Sequence, residues 1–191
     1  MQPLDSIGRV ENLSSDNPDI REQVDASRGF SKKLELLIPG LRGYRKLEDV
    51  RASDEILRNQ VADKLDLVKG NLESVRKDMA SNGNFADLTK VGSLISQVQQ
   101  LSGDVRHAAQ GYSGFSPTIK VDENTLNRLY EYDYNFVNSA VMLQSESAPS
   151  NFSSTDPASF QSNISKVGSA VSDVKTAWQQ RLEAVENILL K

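Results

Sequence analysis

Residues 61–79 read VADKLDLVKGNLESVRKDM, and their apolar positions Val61, Leu65, Val68, Leu72, Val75 and Met79 fall four, three, four, three and four apart. That spacing is the seam of a coiled coil, in which one narrow stripe of a helix meets a partner. Between Tyr44 and Asn82 there is no proline, and Gly70 is the one internal weak point. Strong helix formers dominate, so a single helix over about residues 45–82 is expected, roughly 55 Å long at the α-helical rise. A helix of that length with so thin a stripe gains most of its stability from a neighbour.

Reading outward, Ser81-Asn82-Gly83-Asn84 offers a glycine stop for this helix and an asparagine cap for the next, with Asp87 placed in the first turn. Leu88, Val91, Ile95, Val98, Leu101 and Val105 then recur three or four apart, which predicts a return helix over 85–110. The connecting turn is too short for any arrangement except an antiparallel hairpin. Gly111 to Pro117 breaks the pattern, and a third helix over 122–147 carries Leu126, Leu129, Tyr130, Phe136, Val137, Ala140, Val141 and Met142. Its stripe is wide and aromatic, as expected for a helix gripped on more than one side. Asp156-Pro157 is a cap-then-proline start for a fourth helix over 157–190. Its seam, Phe160, Ile164, Val167, Val171, Val174 and Trp178, continues through Leu182, Val185 and Leu189 after a one-residue stutter.

No segment alternates apolar and polar residues at period two, so the chain reads as all-α: a long antiparallel hairpin plus two further long helices in an elongated bundle with coiled-coil-like packing. Composition agrees. The 191 residues are 38% hydrophobic and 25% charged, which places them among ordinary globular proteins. No apolar run reaches the length of a membrane-spanning helix, and the first ten residues lack the basic start and apolar block of a secretory signal, so a cytoplasmic home is expected. The absence of cysteine removes disulfides, thiolate metal sites and thiol nucleophiles, and a single histidine, His107, narrows catalysis further. No cofactor or metal is expected.

Charge is segregated along the chain. Residues 1–27 are acidic by four charges, and with Ile7, Val10 and Leu13 spaced for one short helix the segment 1–30 reads as a loosely attached tail ahead of a bundle over 31–191. Residues 28–46 reverse the sign to a net of plus five. Here Lys32, Lys33, Arg42, Arg45 and Lys46 surround the apolar run 34–38, which should end at Pro39-Gly40. Such a segment could dock weakly on an anionic lipid surface at the inner face of the membrane. The alternative is that Leu36, Leu37, Ile38 and Tyr44 pack on the bundle while the charges are solvated or pair with the acidic tail.

Other candidate sites read more plainly. Gly40-Leu41-Arg42-Gly43 matches the GXXG clamp of KH domains, but no flanking strands are expected and the acidic remainder repels nucleic acid. Gly111-Tyr112-Ser113-Gly114 lacks the final glycine of a nucleophile elbow, where Phe115 stands instead. His107 falls near a helix end, where an imidazolium would complement the dipole. Asp122, Glu123, Glu131 and Asp133 lack the histidines of a di-iron site and read as helix-start charge and solvated face. Tyr130 and Tyr134 read as core and interface.

The segments Leu37-Ile38-Pro39-Gly40-Leu41-Arg42-Gly43-Tyr44 and Gly111-Tyr112-Ser113-Gly114, the latter followed by Lys120-Val121-Asp122-Glu123 and Leu129-Tyr130-Glu131-Tyr132-Asp133, resemble a family of prokaryotic helical proteins with no established activity. The similarity spans about Leu36 to Leu143. It implies a shared helical architecture with both glycine-rich loops as signatures, and no site. The functional expectation is therefore a non-enzymatic scaffold or interaction protein, a homo-oligomer or the binder of another helical protein. Its contacts would run through the two cleanest seams, Val61 to Met79 and Phe160 to Trp178. Membrane docking through 32–46 and nucleic-acid binding through the GXXG loop are the alternatives.

Overall fold

The computed structural model describes residues 20–39, 41, 47–108, 123–152 and 156–189. They form five α-helices and a 3-10 turn: α1 (Ile20–Leu37), α2 (Leu47–Ser81), α3 (Leu88–His107), α4 (Glu123–Glu146), the turn Pro149–Phe152, and α5 (Pro157–Leu189). Among the described residues there is no strand. The chain is an all-α bundle.

Two antiparallel hairpins, α2–α3 and α4–α5, lie side by side with α2 against α4 and α3 against α5, while α1 packs on α4. Helix α4 is held by α1, α2 and α5, and Leu129, Tyr130, Phe136, Val137 and Ala140 of its expected stripe are buried, whereas Met142 is exposed. The seams meet along the bundle axis. Val61, Leu65, Val68, Leu72, Val75 and Met79 of α2, and Phe160, Ile164, Val167, Val171, Val174 and Trp178 of α5, are all buried in one continuous core. The two seams assigned to intermolecular contact are thus filled from within the chain, because a second hairpin supplies the mates that either hairpin lacks. Phe136 and Trp178 stack at 5.1 Å between centroids where α4 crosses α5.

The α2–α3 turn closes with a complete glycine stop. Gly83 has φ 73°, its N–H donates to Ala80 O at 3.3 Å, and the N–H of Asn84 donates to Met79 O at 2.9 Å, the paired bonds of a Schellman motif. The expected asparagine cap is not used. A turn through Phe85, Ala86 and Asp87 intervenes, and α3 starts at Leu88 behind Asp87, whose carboxylate makes no cap bond and pairs with Lys90 at 2.8 Å. At the head of α5 the cap is as expected. Asp156 accepts from Ser159 Oγ at 2.7 Å, Ser159 N at 3.0 Å and Ala158 N at 3.3 Å. These bonds, the serine side chain's first, hold its carboxyl below the ordinary carboxylate value.

The largest departure lies before the bundle. Helix α1 begins at Ile20, inside the stretch read as a loose tail. Phe30, Leu34, Ile38 and Leu41 anchor its C-terminal end: spaced four, four and three apart, they turn one apolar edge toward the core. Phe30 meets Tyr134 of α4 at 5.4 Å. The helix ends at Leu37, directly before Ile38 and Pro39, as the proline requires. The expected short helix at Ile7, Val10 and Leu13 falls outside the described residues.

Two glycines give opposite expectations. Gly83→Ala puts a Cβ on a left-handed backbone and should destabilise the chain by about 1–2 kcal/mol. Gly70→Ala, in open space inside α2, should stabilise it by about 0.5–1 kcal/mol. Urea denaturation followed by circular dichroism measures both.

Candidate functional site

Three helices interrupt their seams with a charge, and the charges meet. In α5 the alternation of four and three does not stutter after Trp178 but runs on through Arg181 to Val185, which puts a guanidinium in the core at 2% exposure. In α4, Leu129, Asp133, Phe136, Ala140 and Leu143 keep the same alternation, so Asp133 lies inside the bundle at 0% exposure rather than on a solvated face. In α2, Asp54 and Arg58 extend the seam toward the helix start, and both are buried.

Arg181 joins the two hairpins. Its Nε donates to Asp133 Oδ1 at 2.5 Å and its Nη2 to Asp54 Oδ1 at 2.6 Å. Asp54 gives its other oxygen to Arg58 Nε at 2.9 Å. Arg58 Nη1 in turn reaches the backbone carbonyls of Val105, Arg106 and Ala108 at 3.4, 3.3 and 3.1 Å. It therefore caps the C-terminus of α3, where unpaired carbonyls and the negative end of the helix dipole attract a cation. The role expected of His107 at this helix end falls to Arg58, while His107 is exposed beside it. Among the described residues, two guanidiniums and two carboxylates balance in charge, which lowers the cost of burying them. Each oxygen of Asp54 accepts from a guanidinium, so the cluster joins the two hairpins.

Next to that joint, a groove of about 510 Å³ runs between α3 and α5. Leu101, Val171 and Trp178 form its floor; Gln97, Gln100, Asp104 and His107 line one wall and Lys175 and Gln179 the other. Leu182, freed from the seam by Arg181, lies half-buried at its edge. Nothing in the sequence reading singled out this groove, because its floor belongs to the core seams and its walls to ordinary polar positions.

The basic segment is partly among the described residues. Lys32 is exposed on α1, whereas Lys33 Nζ sits over the rings of Phe30 and Tyr134 at 5.5 and 5.7 Å and ties α1 to α4. Arg42, Arg45 and Lys46 lie outside the described residues, as do Gly40, Gly43, Tyr44, Asp122 and the Gly111-Tyr112-Ser113-Gly114 loop. Leu41, inside the GXXG match, is buried in the core. Ile38 packs as expected and Leu37 partly so, but Leu36 is 84% exposed. Tyr130 is buried and Tyr134 half-buried against Phe30. Among the described residues, no three histidine or acidic side chains converge to hold a metal ion, and no helix is long and apolar enough to cross a membrane.

Compared with known proteins, the chain matches no family model, no curated sequence and no solved structure.

Replacing Arg181 with leucine removes the guanidinium that buried Asp133 and one oxygen of Asp54 share, and should cost about 3–5 kcal/mol of folding stability. The double variant Arg181→Leu/Asp133→Leu should recover part of that loss. A denaturation double-mutant cycle measures the coupling, and additive losses would show that the two groups do not act as a pair.

Proposed function

We propose that the chain is a non-enzymatic, cytoplasmic helical interaction protein that receives a helical segment of a protein partner in the α3–α5 groove. The observation that carries this reading is the groove itself, an apolar floor of Leu101, Val171 and Trp178 between polar walls. An amphipathic helix recognises such a surface by laying one apolar edge on the floor and its flanking polar residues along the walls. The bundle already uses this mode internally: at the end of α1, Leu34 and Ile38 are buried against its neighbours while Lys32, Glu35 and Leu36 are exposed. The side chains with the strongest claim to chemistry, Asp54, Asp133, Arg58 and Arg181, are occupied with one another, which supports binding over catalysis.

Assembly through the seams is no part of this reading. The reason for expecting a homo-oligomer was that the seams needed mates, and those mates lie in the same chain. Multi-angle light scattering should return the mass of one chain, 21.1 kDa.

Site-specific photo-crosslinking in living cells tests the groove. A photoreactive side chain at Gln100 or Gln179 should give a discrete protein adduct that Lys175→Glu weakens, while the same group at exposed Glu73 of α2 gives none. Equal adducts from Glu73, or none from the groove positions, would overturn the proposal.

A further inference from the structure

The turn between α2 and α3 sets an electrophilic side chain beside an unshielded nitrogen. Asn82 is the one asparagine in the sequence that glycine follows. Its carboxamide carbon and the amide nitrogen of the next residue stand a five-membered ring apart, and a side chain on that next residue ordinarily crowds the closure. Gly83 has none, and nothing lies within 4 Å of where a Cβ would stand. Asn82 is exposed, and among the described residues its carboxamide has no hydrogen-bond partner. It lines an open cavity of about 580 Å³ between the end of α2, the 3-10 turn and the head of α5, which gives the side chain room to swing and water a path to its carbon. One restraint opposes closure. The N–H of Gly83 donates to Ala80 O, but at 3.3 Å this is a long bond in the last turn of a helix, where local opening is cheapest. Other asparagines lack the combination. Asn59, Asn71, Asn138 and Asn163 lie inside helices, whose ladder holds the following nitrogen, and Asn84 and Asn151 each precede a phenylalanine.

We infer that Asn82 is a self-modifying site, converting without an enzyme to a carboxylate that loosens the α2–α3 turn. The Gly83 nitrogen gives its proton to water and attacks Asn82 Cγ. A carbon–nitrogen bond forms to close a cyclic imide, the Cγ–Nδ2 bond breaks, and Nδ2 leaves as ammonia after taking a proton from water. Water then opens the ring at either carbonyl. Breaking the new bond at Cγ leaves aspartate, and breaking the old one at the backbone carbonyl leaves isoaspartate, with the chain routed through the side chain. Either product puts a negative charge at the negative end of the α2 dipole, one turn after Asp78. Isoaspartate also adds a backbone atom ahead of Gly83, so the bonds from Gly83 and Asn84 to Ala80 and Met79 lose their register and the Schellman motif fails. Neither Asn82 nor Gly83 lines the α3–α5 groove, so this site is separate from the binding surface.

Ageing the folded full chain in mildly alkaline buffer tests the inference. Peptide mass spectrometry locates new carboxylates, and methyl transfer by an isoaspartyl methyltransferase detects the rerouted backbone. Carboxylate should accumulate at position 82 at least about fivefold faster than at any other described asparagine, the rate ratio that the conformational freedom of glycine corresponds to. Asn82→Gln, whose longer side chain closes a six-membered ring far more slowly, should lose the methyl-accepting signal, whereas Asn84→Gln should keep it. Both positions are exposed, and circular dichroism checks that the variants fold. Asn82→Asp should lower the folding equilibrium constant about two- to fivefold in urea denaturation, and the isoaspartate fraction of the aged chain should lose more. An unmodified Asn82 in the folded chain, under conditions where the urea-unfolded chain converts, would overturn the inference, as would equal conversion at several asparagines. An isoaspartate fraction as stable as Asn82→Gln would overturn the loosening of the turn. None of these outcomes depends on whether the groove binds a partner.

Discussion

The guanidinium of Arg181, shared between Asp54 and Asp133, is the constraint on which the arrangement of the bundle depends. Hydrophobic seams of period seven specify that helices pack, but they are nearly indifferent to a shift of one whole heptad, since valine and leucine recur at every step. The three charges are not indifferent. They occur once each on α2, α4 and α5, and bringing any of them into the core without its counter-ions is far costlier than losing a few methyl contacts. The docked position of one hairpin against the other is therefore fixed by polar atoms inside a greasy core. Arg58 extends the same logic to α3 by closing its last carbonyls.

The helical architecture was legible because apolar spacing is a direct record of which side of a helix is buried. Val61 to Met79 and Phe160 to Trp178 mark core positions, and Pro39, Gly83 and Pro157 mark ends for conformational reasons that tertiary context did not override. The polar joint was less legible because charge was taken as a sign of exposure. Arg181 and Asp133 each fall on the four-three alternation of their own helix, and that phase was the available signal. Reading Leu182 as the next seam residue required a stutter, whereas accepting a buried arginine required none.

The start of α1 was missed for a related reason. Its described stripe, Phe30, Leu34, Ile38 and Leu41, lies within the basic stretch, while the helix itself runs back to Ile20 in the acidic one. Division by charge therefore cut through a helix. The groove was invisible for a different reason. A groove arises where two helices diverge, and the distance between α3 and α5 is set by what the rest of the bundle does, not by any residue within them.

The side-by-side placement of α2 with α4 and of α3 with α5 makes each adjacent pair across the hairpins run in the same direction, so α3 and α4, consecutive in sequence, sit at opposite corners of the bundle. Within each hairpin, contacts join residues near in sequence and close early at little entropic cost. Contacts between hairpins join residues as distant as Asp54 and Arg181, 127 positions apart. Assembly is thus hierarchical, with two locally sufficient halves waiting on one long-range event. The ion triad that completes that event also serves as its proofreader.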